Sequence, residues 1–379
     1  MATVPRLLEP ALRRAARQFP ALVLTGPRRS GKTTVLQRVF PHASNVLLED
    51  PDILARVRAD PRGFLDELRL PVILDEIQHA PELFAYVRTR IDAAPRSKGR
   101  WLLTGSQEAP LMRGVTESMA GRAAVFQLLP FSTRESPKVT AWLGGFPEAV
   151  LKPSGSALWF RSYVQTYLER DVRAVSALRD LATFRRFLAL LASRSGQLLN
   201  KTDLAAPLGI SVPTVTQWLS ILEITALILI VPPYFENFGK RLSKSPKVYL
   251  GDSGLLHFLL GLRTETDLEG HPKVGASFEG FAIQQVVRAL AAEAEECFVW
   301  GVHTGAELDL LVVRGRERLG FEVKHTSSPR LTPSMRSAME ALQLRRLDVV
   351  VPGAEVYPLA DDVRVVGIET LPDAVRTRV

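Results

Sequence analysis

The stretch Gly26-Pro27-Arg28-Arg29-Ser30-Gly31-Lys32-Thr33 constrains this chain more than any other. It fits the spacing G-x-x-x-x-G-K-[ST], a pattern that has meaning only between a strand and a helix. Ala21–Thr25 before it is a short apolar run of strand character, and Thr34–Phe40 after it has helical character. In that setting backbone N–H groups at a helix N-terminus converge on a phosphate, and the glycines allow its close approach. The spacing therefore predicts an ATP-binding loop made of Gly26, Pro27, Arg28, Arg29, Ser30, Gly31, Lys32, Thr33 and Thr34. Lys32 is expected to bridge the β- and γ-phosphates, and the Thr33 hydroxyl to ligate Mg²⁺.

A second stretch suits the same chemistry. Pro71-Val72-Ile73-Leu74-Asp75-Glu76 is an apolar strand ending in two carboxylates. Downstream of a phosphate loop, Asp75 is placed to hold Mg²⁺, directly or through water, and Glu76 to polarise the attacking water. Trp101-Leu102-Leu103-Thr104-Gly105-Ser106 is a further apolar strand with a polar end. Thr104 and Ser106, with Gln107 in reserve, are candidates to sense the γ-phosphate and orient that water. A strand followed by a helix cap would show the same residues. Leu7–Phe19 has helical apolar spacing, Asn45–Glu49 reads as a strand, and Pro51–Leu68 as helical pieces broken at Pro61. Alternating strands and helices argue a parallel sheet with nucleotide at the strands' C-terminal ends.

With 379 residues, 46% of them apolar, the chain has room for two or three packed domains. A net charge of +8 favours an acidic partner such as nucleic acid, though only weakly. Cys297 is the single cysteine, which excludes an internal disulfide and a cysteine-based metal cluster. The six histidines lack metal-ligand spacing. No secretory signal is evident, and the longest aliphatic run, Ala226–Val231, is far short of the roughly 20 residues that span a bilayer. A cytoplasmic protein with no membrane partner is expected.

The middle of the chain reads as a DNA-contacting module. Trp159–Arg173 and Leu181–Ser195 have helical spacing. Lys201–Ala206, a turn at Gly209, a cap at Ser211 and a helix through Leu219 form a helix-turn-helix pattern. Thr214, Thr216 and Gln217 fall on its exposed face. Ala226–Val231 and Lys247–Leu250 read as paired strands flanking a basic loop. Strand, loop and strand after a helix-turn-helix make a winged helix. Lys240, Arg241, Lys244 and Lys247 are the expected phosphate contacts, with Thr214 and Gln217 as the other DNA-facing candidates. Such folds also serve as protein-binding modules, and this helix carries no Arg or Lys for base readout.

In the last segment, helices are expected from Ser253 and around Phe278–Val287, and strands at Cys297–Trp300, Glu307–Val313, Leu319–Lys324, Leu347–Val351 and Val363–Val366. Asp309 followed by Glu322-x-Lys324 fits the PD-(D/E)xK nuclease pattern, with Glu279 as the helical acid and Glu-Leu-Asp in place of Pro-Asp. Glu279, Asp309 and Glu322 would hold Mg²⁺ or Mn²⁺ against a phosphodiester, and Lys324 would orient water or stabilise developing charge. Strand alternation points Glu322 and Lys324 to one face.

The loop, Leu74-Asp75-Glu76-Ile77-Gln78, Leu103–Ser106, Met119-Ala120-Gly121-Arg122 and Leu129–Glu135 occur in one order. Gly144-Gly145-Phe146-Pro147, Tyr167–Asp171, Lys244–Leu250 and Phe278-Glu279-Gly280-Phe281 follow. On these motifs the chain resembles, over nearly its whole length, the prokaryotic AAA-type ATPase family with a C-terminal DUF4143 region. The resemblance implies an α/β multidomain fold: an AAA+-type P-loop parallel sheet over 1–150, a helical or winged-helix domain over 151–250, and a restriction-endonuclease-like α/β domain over 251–379. It also places Arg122 near the nucleotide, within the subunit or across an oligomer interface, the other reading being a surface arginine. Arg170 and Arg173 are weaker candidates for that role. An arginine acting across an interface implies a homo-oligomer, a hexameric ring being one such form.

Two readings of function follow. One is an ATP-hydrolysing, DNA-binding motor or remodeller with metal-dependent nuclease activity open to it. The other is a nucleotide-gated regulator whose nuclease-like domain binds DNA or protein without cutting.

Overall fold

The computed structural model describes residues 4–105, 117–168, 181–235, 245–302 and 305–376. The chain divides into two compact units, Met1–Phe131 with Ile224–Ala226, and Ser132–Glu223 with Leu227–Val379.

The first unit runs α1 (Glu9–Gln18), β1 (Ala21–Thr25), α2 (Lys32–Val39), β2 (Ser44–Leu47), α3 (Pro51–Ala59), α4 (Pro61–Asp66), β3 (Val72–Asp75), α5 (Leu83–Ala93), β4 (Trp101–Thr104) and β5 (Ala123–Gln127). Its strands form one sheet in the order β2-β3-β4-β1-β5, every pair parallel. A parallel sheet is covered on both faces, which explains why every residue of β1 is buried and all but Thr25 are apolar. Leu22 and Leu24 pack with Leu12 of α1 and Val35, Leu36 and Val39 of α2. Ala21 and Val23 face the opposite layer, with Val57, Phe64, Val87 and Ile91 of α3, α4 and α5. Truncating a Leu or Ile at such a position costs about 2–5 kcal/mol. The break at Pro61 is built from caps. Asp50 accepts N–H bonds from Asp52 and Ile53 at the start of α3, and Asp60 accepts one from Gly63 at the start of α4. Each such cap contributes about 1 kcal/mol.

The second unit opens with α6 (Pro147–Leu151), α7 (Ser156–Tyr163), α8 (Leu181–Ser193), β6 (Gln197–Leu198), α9 (Lys201–Ala205), α10 (Val212–Ile224), β7 (Ile228–Val231) and β8 (Lys247–Leu250). The three strands pair antiparallel in the order β6-β8-β7. Gly209 makes the turn before α10 with φ 65°, and Ser211 Oγ accepts the Thr214 N–H at 3.2 Å. Trp218 of α10 packs edge-on against Phe184 and Phe187 of α8, with ring centroids 5.2 and 5.1 Å apart.

The same unit continues through α11 (Ser253–Leu259), α12 (Glu265–Glu269), α13 (Val274–Leu290), β9 (Cys297–Gly301), β10 (Glu307–Arg314), β11 (Glu317–Val323), α14 (Pro333–Ala341), β12 (Leu347–Val351), β13 (Val356–Ala360), β14 (Val363–Gly367) and α15 (Leu371–Arg376). These strands form a mixed sheet in the order β13-β14-β12-β11-β10-β9. β10 and β11 are an antiparallel hairpin in which Leu310 faces Phe321, so Asp309 and Glu322 come level. The register of β10 against β9 shifts between Leu308 and Leu311, the stretch that holds Asp309.

The expected boundary at 250/251 falls inside the second unit. Asp252, just past β8, caps α11 through the Leu255 N–H at 3.0 Å and accepts the Gly145 N–H at 2.7 Å. Among the described residues no helix is long and apolar enough to cross a membrane.

Candidate functional site

β1 delivers the chain into the Gly26–Thr33 loop, and α2 begins at Lys32, so the loop lies at the C-terminal end of a central strand. Gly26 (φ 137°) and Gly31 (φ 93°) take backbone conformations that glycine adopts without strain. A Cβ at Gly26 would overlap the Leu128 carbonyl oxygen, whereas one at Gly31 would meet only open space. That space borders the first N–H groups of α2, where a phosphate is favoured. Lys32 Nζ lies 3.1 Å from the carbonyl oxygens of both Gly26 and Pro27, which keeps its ammonium over the loop. Ser30 Oγ is buried without a hydrogen-bond partner among the described residues.

The strand order brings the remaining groups in. β4 lies between β1 and β3, so Thr104 stands beside the end of β3. The Thr33 hydroxyl lies 2.9 Å from both carboxylate oxygens of Asp75, and the Thr104 hydroxyl donates to the same carboxylate. The Glu76 N–H donates to Thr104 Oγ1 at 3.2 Å. Glu76 itself has φ 57°, a left-handed turn that swings its side chain out of the strand line, and its carboxylate accepts from Gln78 Nε2. Burial pushes the Glu76 carboxyl upward, but Lys32, the Gln78 hydrogen bond and Arg28 outweigh it and hold the pKa below the usual value. Glu76 is therefore ionised at neutral pH. The Gly31 space, Lys32 and the Thr33–Asp75 pair fit the phosphates of ATP with Mg²⁺.

Arg122 does not join this cluster within one chain. Its carbonyl oxygen accepts the N–H of Ala21, the first residue of β1, so it lies at the opposite edge of the sheet from the loop. Its guanidinium pairs with Asp92 near the end of α5, at 2.6 and 3.0 Å. Within one chain, then, the Arg122 side chain meets Asp92 and not the phosphate loop. Ser106, Gln107, Arg170 and Arg173 lie outside the described residues, as do Lys240, Arg241 and Lys244.

In the second unit, Glu279 from α13, Asp309 from β10, Glu322 from β11 and Lys324 just after it lie in one cluster. Two residues of β8 complete the cluster. Lys247 Nζ sits 3.1 Å from Glu279 Oε1 and 3.2 Å from Asp309 Oδ1, and the Tyr249 hydroxyl donates to Glu279 Oε1 at 2.6 Å. Asp309 Oδ2 accepts the Val323 N–H at 2.9 Å, and Lys324 Nζ lies 2.7 Å from Glu322 Oε1. Burial, with Asp309 alongside, pushes the Glu322 carboxyl up to about 7 and raises that of Glu279. Burial opposes the charge on Lys247, but Asp309, Glu279 and Glu307 together hold it well above the usual lysine range.

From the sequence, Lys247 is expected to contact DNA phosphates at the end of the basic loop. It is instead buried, and its charge is turned inward to two carboxylates. Gln217 is exposed on α10, while Thr214 is half-buried and bonded to Ser211.

Arg6 and Tyr249 were missed from sequence. Arg6 Nη1 donates to the Ser30 carbonyl at 2.9 Å and Nη2 to the Leu129 carbonyl at 2.5 Å, with its guanidinium 4.7 Å from the Phe131 ring centroid. It pins the phosphate loop from behind. A lone arginine near the start of an Arg-rich helix gives no local sign of that job. Tyr249 alternates with Val248 and Leu250 in β8, a pattern that marks a buried strand but not a polar partner.

Residues 18–136 match the family described as AAA domain, residues 135–266 a domain of unknown function (DUF8612), and residues 274–371 a second domain of unknown function (DUF4143). The uncharacterized proteins Rv2008c of Mycobacterium tuberculosis and Mb2031c of Mycobacterium bovis are each 38% identical over 359 residues, covering 93% of this chain and 81% of theirs. Among solved structures, the Walker-type ATPase PABY2304 of Pyrococcus abyssi aligns at 17% identity and TM-score 0.42, over 68% of this chain and 96% of that one. AMPPCP-bound DnaA of Aquifex aeolicus aligns at 12% identity and TM-score 0.29, over 57% and 86%.

Proposed function

Because the chain belongs to the prokaryotic family that joins an AAA-type ATPase-like domain to a C-terminal DUF4143 region, we propose that it hydrolyses ATP and uses the cycle to act on DNA. The observation that carries the ATPase reading is the convergence of Lys32, Thr33, Asp75, Glu76 and Thr104 at the C-terminal ends of three adjacent strands. Lys32 offsets charge on the β- and γ-phosphates once it leaves the Gly26 and Pro27 carbonyls. Thr33 and Asp75 would hold Mg²⁺, which when bound with ATP would neutralise phosphate charge. Glu76, ionised and aimed by Gln78, polarises the attacking water, and Thr104 ties the Asp75 carboxylate to the Glu76 backbone. Arg122, half-buried and paired with Asp92, would reach a nucleotide only across an interface with a second copy, after giving up that pair.

DNA engagement is assigned to the second unit. The element order α8-β6-α9-α10-β7-β8 supports a winged helix. In the same unit, a cavity of about 840 Å³ at the β10–β11 turn is lined by Arg316, Arg318, Arg345 and Arg346, a charge pattern suited to a phosphate backbone. The competing reading, in which the DUF4143 region binds without cutting, is favoured by Lys247, which neutralises two of the three acids a nuclease would need.

One experiment tests the proposal: ATP turnover of the full chain with and without single-stranded, duplex and branched DNA, beside Lys32→Ala. DNA stimulation is expected, with turnover abolished in the variant. Indifference to every DNA form would remove the DNA-driven reading, and turnover near wild type in Lys32→Ala would remove the nucleotide-site assignment. In a binding assay, replacing the four cavity arginines with Ala is expected to weaken DNA binding and flatten its salt dependence.

A further inference from the structure

Glu279, Asp309 and Glu322 form an acidic cluster of the composition that, in a nuclease-like fold, would hold a divalent metal. The fit fails on the side chains themselves. Among the described residues no group of three or more His, Cys, Asp and Glu is arranged to hold a metal ion. The inward oxygens of Glu279 and Asp309 already share a cation: Lys247 Nζ stands 3.1 and 3.2 Å from them, on a side chain only 10% exposed. Tyr249 adds a second donor to Glu279 Oε1, and the Val323 N–H occupies Asp309 Oδ2. Lys324 takes Glu322 Oε1. Among the described residues, Glu322 Oε2 is buried without a hydrogen-bond partner, and both donors to Glu279 fall on its Oε1. A hard divalent ion can keep several waters and take one or two carboxylates, so what opposes it here is the ammonium already shared by Glu279 and Asp309.

We propose that Lys247 is the resident cation of this cluster: its ammonium lies between the Glu279 and Asp309 carboxylates, and the cluster is metal-independent. The physical basis is charge balance in a buried place. Two neighbouring carboxylates out of water require a positive charge between them. A lysine supplied by β8 meets that need from the same polypeptide, and it ties the three-stranded sheet to α13 and β10. A divalent ion would have to displace an ammonium already bonded to the same two oxygens. Losing Lys247 leaves both acids facing each other, an arrangement that binds metal. The inference deepens the binding-without-cutting reading of the DUF4143 region, but its test reads metal binding and not DNA or ATP turnover, so either can fail alone.

The test uses the full-length, nucleotide-free protein with Mn²⁺ as probe, read by electron paramagnetic resonance and by melting temperature. Wild type is expected to show no Mn²⁺ binding that depends on Asp309, and no shift in melting. Lys247→Met is expected to gain an Asp309-dependent Mn²⁺ binding that wild type lacks, because the opposing unit charge between the two acids is gone. It should melt lower than wild type and regain stability with Mn²⁺. Adding Asp309→Asn should abolish the gained binding, and Lys247→Arg should stay metal-free. Wild-type Mn²⁺ binding that disappears in Asp309→Asn would overturn the proposal, since the metal would then be displacing the lysine. So would a folded Lys247→Met with no gain in affinity. If that variant does not fold, the wild-type and Lys247→Arg arms still decide.

Discussion

At the scale of single residues, burial decides what a titratable group does. His257 of α11 is buried between the Trp142 carbonyl oxygen, 2.9 Å from Nδ1, and the Ser277 hydroxyl, 2.6 Å from Nε2, with the Trp142 indole stacked on it at 5.0 Å. Burial pushes its pKa down to about 4, against the hydrogen bond to Trp142. The folded state thus binds fewer protons than the unfolded chain. The stability His257 contributes is present above its ordinary value near 6.5 and is lost as pH falls through about 4. A melting temperature that declines from pH 7 to pH 4 is expected, with the decline flattened in His257→Gln. Equal slopes in the two proteins would show that His257 is not the group responsible. Such a role was invisible in the sequence, where His257 is one of six scattered histidines. Glu76 and Asp75 were legible there because an apolar strand ending in two acids is itself the signal. Lys247 was not, because a lysine beside other basic residues reads as solvent-facing until its partners are known.

At the scale of elements, the phosphate loop joins a strand and a helix through two glycines of different meaning. Gly26 combines φ 137° with contact against the Leu128 carbonyl, while Gly31 combines φ 93° with open space. Gly31→Ala is expected to carry backbone strain alone, about 1–3 kcal/mol. Gly26→Ala adds an overlap with main chain and should destabilise the first unit more, with loss of nucleotide binding. Thermal melts of both variants check this, and equal destabilisation would show that the Leu128 contact is relieved at no cost. The local code of these elements was readable. β1, β3, β4, the helix break at Pro61, and the Gly209–Ser211 turn fall where apolar runs, proline and caps place them. β5 was not anticipated. It is a half-exposed edge strand, Ala123–Gln127, and it is held by pairing with β1 and not by any alternation of its own. β13 escaped for a similar reason, as an edge strand with a register shift at Pro358.

At the scale of the whole molecule, two compact units with separate cores imply two unfolding events. Calorimetry is expected to resolve two transitions. A non-hydrolysable ATP analogue with Mg²⁺ at 100 times its Kd should stabilise only the unit that carries the loop, by about 2.7 kcal/mol. A single transition that shifts as a whole would refute independent units. The sequence alone determined what is local: the loop and its flanking strand and helix, the acids that end β3, the capped helices, and the pattern of Asp309, Glu322 and Lys324. Spacing within a few residues dictates backbone geometry and periodicity, so these features need no knowledge of the rest of the chain. Tertiary structure alone decided the partners. Arg6 reaches Ser30 across 24 positions and Leu129 across 123, and Lys247 reaches Glu279 across 32 and Asp309 across 62. The same step turned Arg122 away from the nucleotide loop and Lys247 away from solvent. A charge is stable in the interior only where an opposite charge or a hydrogen-bonding group meets it, and which group that is depends on how distant strands and helices are brought together.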